Sequence, residues 1–103
     1  MYLVRRVFKV KHRTARRAAE IIAQMGKLYE DAGQRSTCRV YISGSTVPGP
    51  ADTVYMDWTE ENLRSPYRED NKLPDGLTEL GSQLREIQEE SSIEFYEMVS
   101  PVQ

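Results

Sequence analysis

Two short segments of this 103-residue chain carry tyrosine, arginine and aspartate at alternate positions. Arg39 and Tyr41 alternate with apolar residues in segment 37–42, and Tyr55 and Asp57 do the same in segment 53–58. Tyr96 occupies a similar place in a third alternating segment near the C-terminus. Because successive side chains of a β-strand point to opposite faces, the pattern predicts one apolar face and one face of phenols, a guanidinium and a carboxylate.

This second face suits a ligand. Phenol rings in a dry cavity offer flat apolar area and one hydrogen bond each, which fits a ring-shaped or oxygenated molecule. Asp57 could act there as a general base, and Arg39 could stabilise an enolate or phenolate as charge develops. Alternatively, Arg39 and Asp57 pair across neighbouring strands while the tyrosines pack a dimer interface. The sequence leaves both interpretations open.

The other reactive residues are predicted to be structural. His12 is the only histidine, which excludes a histidine triad or a multi-histidine metal site within one chain. One axial histidine could hold haem, but His12 falls at a strand-to-helix turn, which favours a surface residue. Cys38 shares the apolar face of Val40 and Ile42 and is expected to fill core space. We therefore expect no metal and no tightly held cofactor.

The elements that position these residues alternate between strand and helix patterns. Four segments have the period-two alternation of strands, namely 2–11, 37–43, 53–58 and 93–99. Apolar residues at steps of three and four predict a helix over 14–33, with Thr14 as N-cap and Gly33 as the residue that ends it. A second helix is predicted to begin near Pro74, and its apolar stripe is Leu77, Leu80, Leu84 and Ile87.

Between the third strand and the second helix, the sequence predicts a short helical turn over 59–63 and an irregular connection over 65–73. Trp58 ends the third strand beside this connection, and Tyr67 lies inside it. A connection of this length could close over a pocket as a lid. We therefore add Trp58 and Tyr67 to the predicted ligand-binding residues.

The order β-α-β-β-α-β with right-handed crossovers predicts an α+β, ferredoxin-like sandwich in which both helices cover one face of an antiparallel sheet. The uncovered face still carries several apolar or aromatic residues, drawn from Leu3, Val7, Tyr41, Tyr55, Tyr96 and Met98. A bare patch of this kind indicates a partner surface. Two such sheets packed face to face with two-fold symmetry would enclose a barrel, so we expect a homodimer with a cavity in each half.

The first strand carries a family resemblance. Arg6-Val7-Phe8-Lys9-Val10-Lys11 resembles the first strand of NIPSNAP-type members of the dimeric α/β-barrel superfamily, which also includes the antibiotic-biosynthesis monooxygenases. Those families usually continue with Pro-Gly, where this chain has His12-Arg13. The resemblance implies a dimer with one pocket per subunit. Its members include cofactor-free oxygenases, polyketide cyclases, lactone isomerases and haem-handling enzymes, so the fold does not specify the reaction.

Alternation along the first strand sends Arg5 and Arg6 to opposite faces of the sheet. The face that contains Arg6 is the more apolar one, but burying Arg6 beneath the helices is costly without an acidic partner. The opposite register would bury Arg5 instead. The resemblance to NIPSNAP-type strands favours Arg6 as the arginine that faces the barrel.

Length and charge limit the remaining possibilities. A chain of this length is expected to form one domain, residues 1–103. Residues 1–41 hold ten Lys/Arg and three Asp/Glu, whereas residues 42–103 hold four and thirteen. We expect these halves to meet within the fold or across a dimer, and we do not expect nucleic-acid binding. A single cysteine, no bilayer-length apolar run and no signal peptide favour a cytoplasmic protein without a membrane partner.

The leading hypothesis is a small cofactor-independent tailoring enzyme, a cyclase, isomerase or monooxygenase. The resemblance implies a hydrophobic, aromatic or polyketide-like substrate. In this hypothesis Asp57 removes a proton and Arg39 or Arg6 stabilises the anion. The rings that would position the substrate are Tyr41, Tyr55 and Tyr96. The alternative is a non-catalytic dimer that binds a small ligand or a protein.

Overall fold

The computed structural model describes residues 1–63 and 74–100. Within them the elements, in chain order, are β1 (Tyr2–Val10), α1 (Ala15–Asp31), β2 (Arg39–Ser43), β3 (Thr53–Glu60), α2 (Leu77–Arg85) and β4 (Gln88–Glu97). The strands form an antiparallel sheet of order β2-β3-β1-β4. This is the ferredoxin-like α+β fold that the sequence predicts. In the described ranges, neither helix is long and apolar enough to cross a membrane.

Helix α1 follows its predicted apolar stripe and ends at the predicted glycine. Its buried residues recur at steps of three and four, and they are Ala18, Ile21, Ile22, Gly26 and Tyr29. Gly33 adopts φ +71°, and the amides of Gly33 and Gln34 donate to the carbonyls of Glu30 and Tyr29. These bonds satisfy carbonyls that the helix end would otherwise leave without donors.

The core lies between the helices and one face of the sheet. Phe8, Val54 and Met56 from the sheet are almost fully buried there, together with Ile22 of α1 and Leu84 of α2. Gly26 marks a close approach of α1 to the sheet, since a Cβ at this position would lie 3.0 Å from Cys38 Cβ and 3.4 Å from Met56 Sδ. A glycine in mid-helix is therefore explained by packing.

Two strands extend beyond their predicted ends, and strand pairing is the reason in both cases. β3 continues through Thr59 and Glu60, which pair with Leu3 and Tyr2, so the helical turn predicted from residue 59 does not form there. β4 begins at Gln88 and not at residue 93, because pairing with β1 continues to Val10.

The second helix is also shorter than its apolar stripe. α2 ends at Arg85, yet Ile87 is buried, and its carbonyl accepts a hydrogen bond from the amide of Lys11. Ile87 therefore completes the core from the connection between α2 and β4. The predicted connection at 65–73, with Tyr67, lies outside the described residues.

We expect Gly26→Ala and Gly81→Ala to change stability in opposite directions. Overpacking costs about 1–3 kcal/mol, which exceeds the roughly 1 kcal/mol gained when alanine replaces a helical glycine. At Gly81 in α2, a Cβ would meet only Arg85 Nη1 at 3.5 Å, so alanine should stabilise by about 0.5–1 kcal/mol. Urea unfolding of both variants measures the difference. A Gly26→Ala protein more stable than the wild type would contradict the close approach.

Candidate ligand-binding face

The sheet face opposite the helices, here called the open face, presents side chains in rows that cross the strands. Cross-strand partners share a face, so the strand register places Arg39, Asp57, Arg5 and Glu94 in one row. The next row consists of Tyr41, Tyr55, Val7 and Ser92, and Leu3 and Tyr96 form part of the row on the other side. Four separate strands thus contribute to one surface.

The first row alternates cation and anion across the sheet. Arg39 Nε lies 2.8 Å from Asp57 Oδ1, and Arg5 Nη2 lies 2.7 Å from Glu94 Oε1. The Asp57 side chain is only 6% exposed, whereas the Arg39 side chain is 66% exposed. Each charge of the row therefore has an opposite charge beside it, and the row as a whole is neutral.

A stack of flat groups runs along the open face. The Tyr41 and Tyr55 ring centroids are 5.2 Å apart with 13° between the ring planes. The Arg5 guanidinium lies 5.1 Å from the Tyr55 centroid and 5.9 Å from the Tyr96 centroid. Aromatic pairs and cation–π contacts each contribute about 0.5–1.5 kcal/mol. The two ends of this stack, Tyr41 and Tyr96, remain 39% and 43% exposed.

The hydroxyl groups of the stack are all hydrogen bonded. Tyr41 Oη donates to Asp57 Oδ2 at 2.8 Å, and Tyr96 Oη donates to Glu94 Oε1 at 2.6 Å. The Tyr55 hydroxyl lies 3.0 Å from Ser43 Oγ. Burial, followed by the hydrogen bond to Asp57, raises the pKa of Tyr41, and the hydrogen bond to Glu94 raises the pKa of Tyr96. Tyr41 and Tyr96 therefore keep their protons and act as donors at neutral pH.

Asp57 is held from two sides. Arg39 donates to one carboxylate oxygen and Tyr41 to the other. The hydrogen bond to Asp57 in turn raises the pKa of Arg39, so the guanidinium remains protonated. This geometry makes Asp57 the acceptor that links β2 to β3, and an incoming substrate proton would compete with two existing hydrogen bonds.

The structure brings together five of the predicted site residues on the open face, namely Arg39, Tyr41, Tyr55, Asp57 and Tyr96. Arg6 does not join them. It shares the helix-side face with Val4 and Phe8, and its guanidinium lies 4.9 Å from the Phe8 ring centroid. The expectation that Arg6 faces the barrel is therefore wrong. Arg6 lies on the same face of β1 as Val4 and Phe8, and that face packs against the helices to form the core.

Arg5 occupies the open face in its place, between the Tyr55 and Tyr96 rings. Its hydrogen bond to Glu94 raises the pKa of Arg5, and the hydrogen bonds from Tyr96 and Arg5 lower the pKa of Glu94. Sequence reasoning left Arg5 out of the site. The sequence does carry a signal for Arg5. The other set of alternate residues in β1 is the more apolar, which indicates that Arg5 lies on the face away from the core; that set is Val4, Arg6, Phe8 and Val10.

Trp58 is also on the helix side of the sheet, where it is 5% exposed and its indole N–H donates to Glu60 Oε1 at 2.9 Å. It contributes to a second aromatic cluster that the sequence did not suggest. The Arg35 guanidinium lies 3.8 Å from the Trp58 ring centroid and 3.6 Å from that of Tyr29. Burial lowers the pKa of Arg35, while the ring faces partly replace its lost hydration.

The remaining reactive side chains have structural surroundings. Cys38 is half-buried against Gly26, and burial raises the pKa of its thiol. His12 is 77% exposed at the β1–α1 turn, with Nδ1 3.2 Å from Asp52 Oδ2. Across residues 1–63 and 74–100, no three His, Cys, Asp or Glu side chains gather in a way that could hold a metal ion.

Comparison with known proteins adds information on the fold. No protein-family profile matches the chain, and no curated protein sequence does. Two solved structures are similar along nearly the whole chain. The first is an uncharacterized NIPSNAP domain protein from Burkholderia xenovorans, with a TM-score of 0.69 and 13% identity over 97% of this chain and 96% of that one.

The second is protein Atu4242 from Agrobacterium tumefaciens, with a TM-score of 0.60 and 12% identity over 97% of this chain and 95% of that one. At these identities the similarity is one of fold and carries no activity with it. The fold-level resemblance predicted from β1 and the element order is thereby confirmed. This chain has the ferredoxin-like fold that it shares with a NIPSNAP domain protein.

Proposed function

We propose that the protein acts as a homodimer in which two open faces pack together and enclose a chamber that binds a flat, largely apolar molecule. The observation that carries this proposal is the stack of Tyr41, Tyr55, Arg5 and Tyr96, whose two ends remain exposed. Flat groups of this kind offer binding area to a ring at little conformational cost.

The pairing of charges supports burial of the open face in a dimer. Isolated charges are costly to remove from water, but here Arg39 is paired with Asp57 and Arg5 with Glu94 within one chain. Around these pairs the face carries the side chains of Leu3, Val7 and the tyrosines. A second copy would cover this mixed surface without leaving those four charges unpaired.

The exposed guanidinium of Arg39 supports a ligand with an acidic or hydroxyl group. Its Nε donates to Asp57, while the side chain as a whole stays 66% exposed. A planar guanidinium can bind a carboxylate, sulfonate or phenolate through parallel hydrogen bonds. The ligand class that fits the open face is thus an aromatic ring system with one anionic or strongly polar substituent.

Binding is favoured over catalysis because Asp57 is nearly buried and accepts two hydrogen bonds. A cofactor-independent cyclase, isomerase or monooxygenase acting on a polyketide-like molecule is the second candidate. The Tyr41–Asp57 hydrogen bond favours this alternative, because a phenol and a carboxylate 2.8 Å apart can relay a proton. In that case Asp57 would take the proton and Arg39 or Arg5 would stabilise the anion.

Val7→Lys should separate the proposed dimer. Val7 lies in the tyrosine row of the open face, so a lysine there would bring two uncompensated charges into the interface. Size-exclusion chromatography with light scattering should give a dimer for the wild type and a monomer for Val7→Lys at the same micromolar concentration. Ala23→Lys, on the exposed side of α1, is the matched control and should remain dimeric.

Circular dichroism and thermal unfolding must show that the Val7→Lys monomer is folded. A monomeric wild type, or a folded Val7→Lys protein that stays dimeric, would contradict packing through the open face. If Val7→Lys does not fold, Tyr41→Lys tests the interface in its place, because Tyr41 is exposed on the same face.

Binding of anilinonaphthalene sulfonate, an anionic aromatic dye, tests the ligand class. We expect dye fluorescence to rise with the native protein, and Tyr41→Ala and Arg39→Ala each to weaken binding about three- to tenfold. Arg16→Ala removes an exposed arginine on α1 and should leave the affinity unchanged. Equal weakening by Arg39→Ala and Arg16→Ala would reveal a general charge effect and contradict a site on the open face.

Asp57→Asn distinguishes binding from catalysis when its unfolding stability, dye affinity and turnover are compared with those of the wild type. If Asp57 positions Arg39 and Tyr41, the variant loses about 1.5–3 kcal/mol of stability through weaker hydrogen bonds. If Asp57 instead removes a proton, the variant keeps its stability and dye affinity but loses turnover of any substrate found for the wild type. The first outcome supports the binding proposal and the second supports the enzyme.

The Arg5–Glu94 pair should make stability depend on pH in a defined direction. Because the folded-state pKa of Glu94 is lowered, its contribution is present above the unfolded value of about 4.3 and is lost as the pH falls through the folded value. Glu94→Gln should therefore be less stable than the wild type at pH 7, with a difference that shrinks in acid. Urea unfolding at several pH values measures this, with Glu20→Gln on α1 as the control. A pH-independent difference would argue against the ion pair.

A further inference from the structure

Among residues 1–63 and 74–100, strand β4 has a neighbouring strand on only one of its two backbone edges. It is the last strand of the order β2-β3-β1-β4, and within the described residues it pairs only with β1. It runs for ten residues, Gln88–Glu97, and most of its side chains are exposed. A long open edge presents a row of N–H and C=O groups that can bind another extended chain.

Between residues 90 and 95, the side chains beside this edge include carboxylates on one face and large apolar groups on the other. Glu90 and Glu94 point to the open-face side, where they alternate with Ser92. Ile93 and Phe95 point to the helix side, where they are 41% and 47% exposed. A strand added at this edge would therefore meet carboxylates on one face and apolar groups on the other.

β1 shows what kind of strand the side chains of β4 accept. On the inner edge, Arg5 forms an ion pair with Glu94, and Lys9 lies opposite Glu90. The inner partner thus places basic side chains opposite both open-face glutamates, while on the helix side Val4 lies opposite Phe95 and Arg6 lies opposite Ile93.

A second copy of β4 is a poor partner for the outer edge. Each strand carries four glutamates, Glu89, Glu90, Glu94 and Glu97. Two such edges side by side would bring eight carboxylates along one pair of strands, and like charges across strands are destabilising. Charge at an exposed edge is a common protection against self-association, and here its sign selects a basic partner.

We propose that the outer edge of β4 binds an extended peptide segment in which Lys or Arg alternates with β-branched or aromatic residues, by addition of a fifth strand to the sheet. Backbone hydrogen bonds provide affinity, Glu90 and Glu94 select the basic positions, and Ile93 and Phe95 receive the apolar ones. The backbone edge belongs to one chain, so strand addition itself does not require dimerisation through the open face, although Glu94 also belongs to the first row of that face.

Fluorescence anisotropy with a labelled nine-residue peptide that alternates Lys and Val tests the proposal on the full-length protein. We expect saturable binding that is abolished when two adjacent central residues of the peptide are replaced by proline, because one of any two neighbouring residues must direct its N–H towards β4. Glu90→Gln and Ile93→Thr, two substitutions compatible with a strand, should each weaken binding about three- to tenfold. Glu79→Gln, an exposed residue of α2, should leave the affinity unchanged.

Amide hydrogen exchange locates the site. Added peptide should slow exchange in β4 and leave α1 unchanged. Equal weakening by Glu79→Gln, or full binding of the proline peptide, would show bulk electrostatic attraction and overturn strand addition. Absence of binding would also overturn strand addition. A change of oligomeric state in Ile93→Thr without peptide would do so too, because the edge would then belong to an interface between copies.

Discussion

The position of β1 between β3 and β4 is the constraint on which the rest of the structure depends. Both neighbours pair with β1 along nearly its whole length, so its alternation determines which residues of the sheet face the helices. Val4 and Phe8 enter the core, and Arg5 is left on the open face between tyrosine rings. A shift of one residue would put Arg5 beneath the helices and expose Phe8.

The open face combines paired charges with stacked rings. Four of its charges are paired within the chain, because Arg39 and Asp57 link β2 to β3 while Arg5 and Glu94 link β1 to β4. Its rings are stacked, so Tyr55 is buried although neither of the two described helices covers it. The result is a neutral and ordered surface, which is suited to burial against a partner or to binding a flat molecule.

The two similar structures share the fold at 12–13% identity, so their likeness to this chain is one of fold. What this chain binds must therefore be argued from its own side chains. The open face and the outer edge of β4 are adjacent parts of one sheet that share Glu94. The first is aromatic and charge-paired, while the second is acidic and offers free backbone groups, so the two select different classes of partner.

The sequence by itself determined the element order, the length of α1 and the gathering of Arg39, Tyr41, Tyr55 and Asp57 on one face. These features follow from local periodicity, because alternation and helical spacing need no knowledge of distant residues.

The tertiary structure alone decided between Arg5 and Arg6, extended β3 and β4, and turned Trp58 toward Arg35 on the helix side. Each of these outcomes depends on which strand lies alongside and what the helices cover. Pairing free energy and core burial arise only when residues far apart in the chain come together, so no local pattern records them.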